Sequence, residues 1–382
     1  MKFLHTSDWH LGRSFHGYST QKEQESFCES IINIVKEHNV DIVLIAGDIY
    51  DRAQPPIESI KLYEKTINGI IGAGAQIFMI SGNHDNRVRL GTLRQLNAKA
   101  GLHAKTAVPE DISDPLIVED EHGEIAIYGV PYIKPVTDQE ALELEIVNPE
   151  TAMKAALHLV ETDLEKRGNP RSIVLAHAFV HGAEISDSEK HFAIGGIDNV
   201  PVSYFNNFDY VALGHLHGQQ KVTEKMRYSG SPMPYSFSEA KQTKGFWLFD
   251  FSERGLADIE PIPSTNFRKL KIIKGSLEEL LEDSEYADAE NAWCQITVKQ
   301  EEAPLRAYDK LKNRFPYLCE LKMDIAKGKI EFIAPKLDAG EQENPAEVLE
   351  DFVEWVQARE PDAEEKGFIK EAVEEKTRKA EA

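Results

Sequence analysis

The sequence predicts a layered α/β architecture followed by a second, smaller α/β unit and a helical C-terminal tail. Three observations predict it. Short apolar runs alternate with amphipathic stripes in the N-terminal half, the pattern changes after Tyr210, and the composition turns sharply acidic beyond residue 336. With 382 residues, 41% hydrophobic and 28% charged, the chain reads as globular, with two or three domains and room for a core that needs no disulfides.

The runs Lys2–Thr6, Asp41–Ala46, Gln76–Ile80, Ile125–Val130, Ser172–Ala176 and Tyr210–Leu213 are too short for helices and read as buried strands. Between them, residues 21–38 place Phe27, Ile31, Ile34 and Val35 on one helical face, and residues 57–71 do the same with Ile57, Ile60, Ile67, Ile70 and Ile71. This strand–helix alternation is the mark of an α/β domain. Further on, Lys225–Gly230 and Gly245–Phe251 read as strands, and Asp258–Pro263 as an exit segment because its prolines signal turns. A boundary near 265 is expected. Beyond it, strands at Phe267–Ile273, Asn291–Lys299, Tyr317–Met323 and Lys329–Ile333, with helices at 276–283 and 304–314, predict a small α/β domain over 266–335.

The tail, 336–382, holds 15 acids and 7 bases. Asn344-Pro345-Ala346-Glu347 is a helix start, and Val348, Leu349, Phe352, Val353 and Val356 form an apolar stripe beside Trp355. Phe368, Ile369, Ala372 and Val373 suggest a second helix. A stripe after an acidic connection predicts a segment that docks a partner, with Phe352 and Trp355 as its anchors; the plainer expectation is local packing.

The net charge of −22 argues against a uniformly nucleic-acid-binding surface. Three distant cysteines, Cys28, Cys294 and Cys319, exclude a disulfide framework and a thiolate zinc site. The N-terminus has no apolar signal core and no run reaches membrane-spanning length, so the expected compartment is the cytoplasm.

The chemistry lies where strands end. Lys2–Thr6 is followed by Asp8 and His10, Asp41–Ala46 by Gly47-Asp48, Gln76–Ile80 by Gly82-Asn83-His84-Asp85, Ser172–Ala176 by His177, and Tyr210–Leu213 by Gly214-His215-Leu216-His217. One such residue is ordinarily a cap, a turn or a structural histidine. Five in succession predict a metal centre along one sheet edge. Carboxylate, imidazole and amide donors suit Mn²⁺, Fe²⁺ or Zn²⁺, and seven of them suit two ions sharing a carboxylate.

Asp8-x-His10, Gly47-Asp48-x-x-Asp51, Gly82-Asn83-His84-Asp85, His177 and Gly214-His215-x-His217 resemble the five signatures of the calcineurin-like metallophosphoesterases. The longer strings Thr6–Arg13, Gly47–Ala53 and Tyr228–Phe237 resemble the bacterial nuclease branch of that family. The resemblance covers residues 1–260 most strongly. It implies a metallophosphoesterase β-sandwich flanked by helices for 1–265 and a capping, DNA-recognition role for the small domain. It implies two divalent ions, Mn²⁺ by expectation: one held by Asp8, His10, Asp48 and His217, the other by Asp48, Asn83, His177 and His215, with His84 on the scissile phosphate. Asp51, where archaeal and eukaryotic relatives carry His, supports the bacterial branch and a role in holding a ligand histidine or Arg52.

The function implied is a Mn-dependent double-strand exonuclease and single-strand or hairpin endonuclease in DNA repair, recombination and replication. The resemblance further implies that the chain works with the SbcC ATPase, forms a homodimer through the nuclease domain and associates with the nucleoid. The chain carries no Gly-x-x-x-x-Gly-Lys-Ser/Thr loop, so ATP dependence would come from that partner. A metallophosphatase of nucleotides or phosphoproteins is the alternative. Residues 83–105 hold Arg87, Arg89, Arg94, Lys99 and Lys105 against one acid, and Arg13 and Arg52 follow two metal motifs; Arg13, Arg52, Arg87, Arg89 and Arg94 are therefore the expected DNA contacts. His5 is expected to be buried in its strand and His16 flanks the first motif, neither with an assigned role; His181 and His191 fit no ligand slot and are expected to be surface or loop residues.

Overall fold

The computed structural model describes residues 1–184, 200–300, 306–325, 328–333, 362 and 365–370. The predicted tail helix at 344–356, with Phe352 and Trp355, and His191 lie outside the described residues.

Two six-stranded sheets form the body of the compact unit Met1–Ala334. In the first, Lys2–Thr6, Ile42–Ala46, Gln76–Ile80 and Leu102–Lys105 run parallel, and Gly245–Ser252 and Gly255–Pro263 complete one side antiparallel. In the second, Gly123–Val130, Arg171–His177, Tyr210–Gly214 and Met226–Tyr228 run parallel between the antiparallel edge strands Leu116–Asp120 and Gln220–Lys221. The five motif-bearing strands are thus divided three and two between facing sheets, which corrects the expectation of a single sheet edge.

The sheets meet through Phe3, Ile42, Leu44, Phe78 and Ile80 on one side and Ile125, Ile127, Ile173, Leu175 and Tyr210 on the other, all fully buried. At ~1.5–3 kcal/mol for each large apolar side chain removed from water, this layer is the main force aligning the two sheets. Alternation along each strand sends the intervening residues outward: Leu4 and Val43 meet the helices Gln21–His38 and Ile57–Gly72, whereas Val174 and Val211 meet the helix Pro149–Lys166. That last helix starts at a capping box, Asn148 accepting from Thr151 N at 2.8 Å. His5 is buried as expected and bridges the sheets, its ring nitrogens 3.0 Å from Tyr210 Oη and 3.2 Å from Leu213 O.

Gly255–Pro263 is a strand, not an exit segment. It is the edge strand of its sheet, where Pro261 and Pro263 need not donate to a further neighbour. Beyond it, Leu270–Gly275, Trp293–Gln300, Leu318–Ile325 and Gly328–Ile333 form a four-stranded sheet carrying the helices Leu277–Glu282 and Ala307–Arg314. Its Trp293 stacks on Phe15 at 4.6 Å, and Tyr18 Oη donates to Leu318 O at 3.0 Å. Phe15 and Tyr18 belong to the hairpin Ser14–Phe15/Tyr18–Ser19, directly after the first metal motif. In the second unit, Pro335–Ala382, residues 365–370 are helical.

Candidate metal centre

Each motif residue sits where its strand runs out. Asp8 N donates to Gly47 O and His10 N to Asp48 O, both at 3.0 Å, so the first two loops are zipped together by main chain. Asp85 ties in the third loop: its buried carboxylate accepts from Ile49 N, Tyr50 N and Gly82 N at 3.1, 2.9 and 2.9 Å. The second sheet joins through His177, whose Nδ1 donates to Ala46 O at 2.8 Å. That approach needs glycine: a Cβ on Gly214 would collide with Ala46 O, and one on Gly47 would strike the His177 ring.

The structure brings all seven predicted ligands together. His10 Nε2 lies 3.1 Å from His217 Nε2 and 3.7 Å from Asp48 Oδ2. The same Asp48 oxygen is 3.4 Å from His177 Nε2. Asn83 Oδ1 lies 3.0 Å from His177 Nε2 and 3.1 Å from His215 Nδ1. Asp8 accepts from His215 N at 3.0 Å and from Ser7 Oγ at 2.5 Å. Donor atoms of Asp8, His10 and His217, of Asp8, Asp48 and His177, and of His10, Asp48 and His84 cluster closely enough to hold an ion.

Asp8, His10 and Asp48 have φ of 53°, 44° and 51°, and His215 has φ 102°. These left-handed conformations cost non-glycine residues of order 1–3 kcal/mol each and persist where the surroundings over-determine them, which is typical of functional sites.

The electrostatics suit a cation. Burial alone would depress His177, yet Asp48 and Asp8 outweigh it and lift the imidazole to about 9. Burial opposes ionisation of Asp48, but His177, His10 and His84 hold its carboxyl well below the ordinary value. Burial, with the Asp48 charge adding to it, pushes Asp8 up to about 6 against the pull of His177 and His217. Burial also drives His10 well below its usual value, and His215 down to about 3. Two carboxylates and four imidazoles converging in a largely buried pocket, joined by the Asn83 amide oxygen, are a donor set that fits divalent ions.

His84 is half-buried; its N donates to Asp48 Oδ1 at 2.9 Å and its Nδ1 lies 2.8 Å from Asp51 O. The Asp51 carboxylate stands between His10 Nδ1 (3.6 Å), Arg13 (3.8 Å) and Arg52 (3.7 Å). Of the expected DNA contacts, Arg13 and Arg52 therefore lie beside the centre. Arg89 is exposed on its short helix, while Arg87 is gripped by the buried Asp138 at 2.7 and 3.0 Å and Arg94 faces Asp111 at 3.6 Å.

Sequence reasoning missed the supports of the centre. Ser229 Oγ is 2.6 Å from Ser7 Oγ, Tyr235 Oη donates to Trp9 O, and Glu239 and Lys244 lie buried beside His217. Tyr132 was also missed; its half-buried ring lies nearly parallel to His215 at 6.4 Å. The one available signal was the polar string from Ser229 to Lys244, whose burial no periodicity betrays.

Residues 1–219 match the calcineurin-like phosphoesterase family, and the chain belongs to that family. Residues 266–357 match the family described as type 5 capsule protein repressor C-terminal domain. Among curated relatives, the SbcD component of the nuclease SbcCD from Staphylococcus epidermidis is 30% identical over 324 residues, covering 84% of this chain and 85% of the relative. Its counterpart from Staphylococcus saprophyticus is 31% identical over 290 residues, 74% of each chain. Within the phosphoesterases the chain stands with these nuclease components, as a hydrolase of the SbcCD type. No helix among the described residues is long and apolar enough to cross a membrane.

Proposed function

We propose that this nuclease cleaves DNA phosphodiesters at a two-ion centre loaded with Mn²⁺. The observation that carries the reading is Asp48 Oδ2, within 3.7 Å of His10 Nε2 and 3.4 Å of His177 Nε2, a single carboxylate oxygen between two imidazole groups. Asp8, His10, Asp48 and His217 hold one ion; Asp48, Asn83, His177 and His215 hold the other. Ions bound there supply a hydroxide nucleophile at neutral pH and neutralise charge on the phosphate.

The chain's own residues do the rest. Asp51 O fixes the His84 ring through Nδ1, so its proton chemistry runs through Nε2, directed to the phosphate or the leaving sugar oxygen. Arg13 and Arg52, braced on Asp51, hold flanking phosphates. Residues 1–265 carry the chemistry, 266–335 cap it and recognise DNA, and 336–382 dock the SbcC ATPase. Exposed Ile57, Val88, Leu93 and Leu96 support a homodimer through the nuclease domain. The protein acts in the cytoplasm at the nucleoid.

The deciding assay measures cleavage of duplex ends, hairpins and p-nitrophenyl phosphate in Mn²⁺ and in Mg²⁺, with and without SbcC and ATP. Mn²⁺-dependent DNA cleavage stimulated by the partner is expected. Hydrolysis of the small ester with no DNA cleavage under any condition would overturn the reading.

A further inference from the structure

The segment 229–244 is drawn to one end of the centre. Its Glu239 side chain is fully buried, as is Lys244, and both reach the same residue, His217. Glu239 Oε1 lies 3.4 Å from His217 Nδ1 and accepts from Ser236 Oγ at 3.2 Å; its Oε2 accepts from Tyr235 N at 3.2 Å and from Lys244 Nζ at 2.5 Å. Lys244 Nζ also donates to His217 O at 2.7 Å, Ser231 Oγ at 3.0 Å and Gln242 Oε1 at 3.0 Å. Ser231 N donates to His217 O at 3.1 Å.

A buried ion pair is a poor way to gain stability, because desolvating both charges offsets most of their attraction. This pair grips one histidine at both its ring and its carbonyl. A carboxylate on Nδ1 selects the tautomer with the proton there, which leaves Nε2, the atom 3.1 Å from His10 Nε2, as the lone-pair donor. His177 gets the same service from main chain, through Ala46 O.

We propose that Glu239 is a positioning residue for His217, fixed in turn by Lys244, and that this pair sets the affinity of the ion bound by Asp8, His10, Asp48 and His217 without setting that of its neighbour. The inference rests on the two-ion reading.

The test is calorimetry of the full chain with Mn²⁺, paired with ¹⁵N imidazole shifts of the metal-free protein. Glu239→Gln should weaken one of two sites by about 10–100-fold and leave the other unchanged. The His217 signal should move from a single Nδ1–H tautomer to a mixture. Should Glu239→Gln fold poorly, because it strands the Lys244 ammonium, the double variant Glu239→Gln/Lys244→Met removes that charge. It should recover thermal stability but not the affinity of the weakened site, whereas a purely structural pair would recover both. Equal weakening of both sites, or unchanged affinity with an unchanged tautomer, would overturn the proposal. A wild-type chain that binds only one Mn²⁺ would overturn the two-ion reading instead, and the tautomer measurement would still decide the role of Glu239.

Discussion

The two ends of the centre are supported by different materials. At the end formed by Asp8, His10 and His217, side chains hold side chains: Ser229 backs Ser7 on Asp8, Tyr235 packs its ring 5.4 Å from His10, and Glu239 with Lys244 braces His217. At the end formed by Asn83, His177 and His215, main chain does most of the work, with the Tyr132 ring beside His215. Ala46 O fixes His177, and the register that pairs Gly214 with His177 delivers His215. The difference teaches where each can be changed. Main-chain support comes with the sheets and yields only if the fold yields. Side-chain support can be altered one residue at a time in a folded protein.

Asp48 belongs to both ends, so Asp48→Ala should produce the largest effect. Calorimetry should detect neither Mn²⁺ site, and cleavage should fall below about one hundredth of wild type, since both ions lose a ligand. Retained cleavage with two intact sites would dissolve the comparison altogether. His215→Ala should separate the ends: one ion remains, at near wild-type affinity, while turnover still falls about a hundredfold or more because both ions are needed. Loss of both ions would mean the ends are not independent.

His84→Gln sharpens the comparison by touching neither end's ligand set. Two ions should bind, and kcat should drop about 10²–10⁴-fold, the usual worth of a positioned acid or base. A fall from two sites to one would make His84 a ligand, as its grouping with His10 and Asp48 allows. The smallest effect on the centre is expected from deleting 336–382. Both Mn²⁺ sites and cleavage of short single strands should persist, while SbcC capture in a pull-down is lost. Capture at wild-type affinity would return the tail to local packing.

Much of the centre was legible because a polar residue directly after a buried strand is conspicuous, and five strands repeat the signal. Asp8, Asp48 and His177 stood out for that reason. The division of those strands between two sheets was not legible, since a parallel strand buried on both faces reads the same in either sheet. Gly255–Pro263 was hidden because Pro261 and Pro263 imitate a turn, and an edge position is a property of the assembled sheet. Glu239 and Lys244 were hidden for another reason. In a loop they look like the solvated charges that make up most of the surface, and only the folded chain reveals that they face each other in the interior.

The left-handed backbone at Asp8, His10 and Asp48 sets stability against activity. Glycine is the residue this backbone would welcome at each position, and it has no side-chain donor atom to offer. Replacing Asp8 by glycine would relieve local strain and discharge a buried carboxylate while erasing a ligand. A laboratory selection for heat resistance alone, with no requirement for cleavage, would therefore be drawn toward dismantling the centre first.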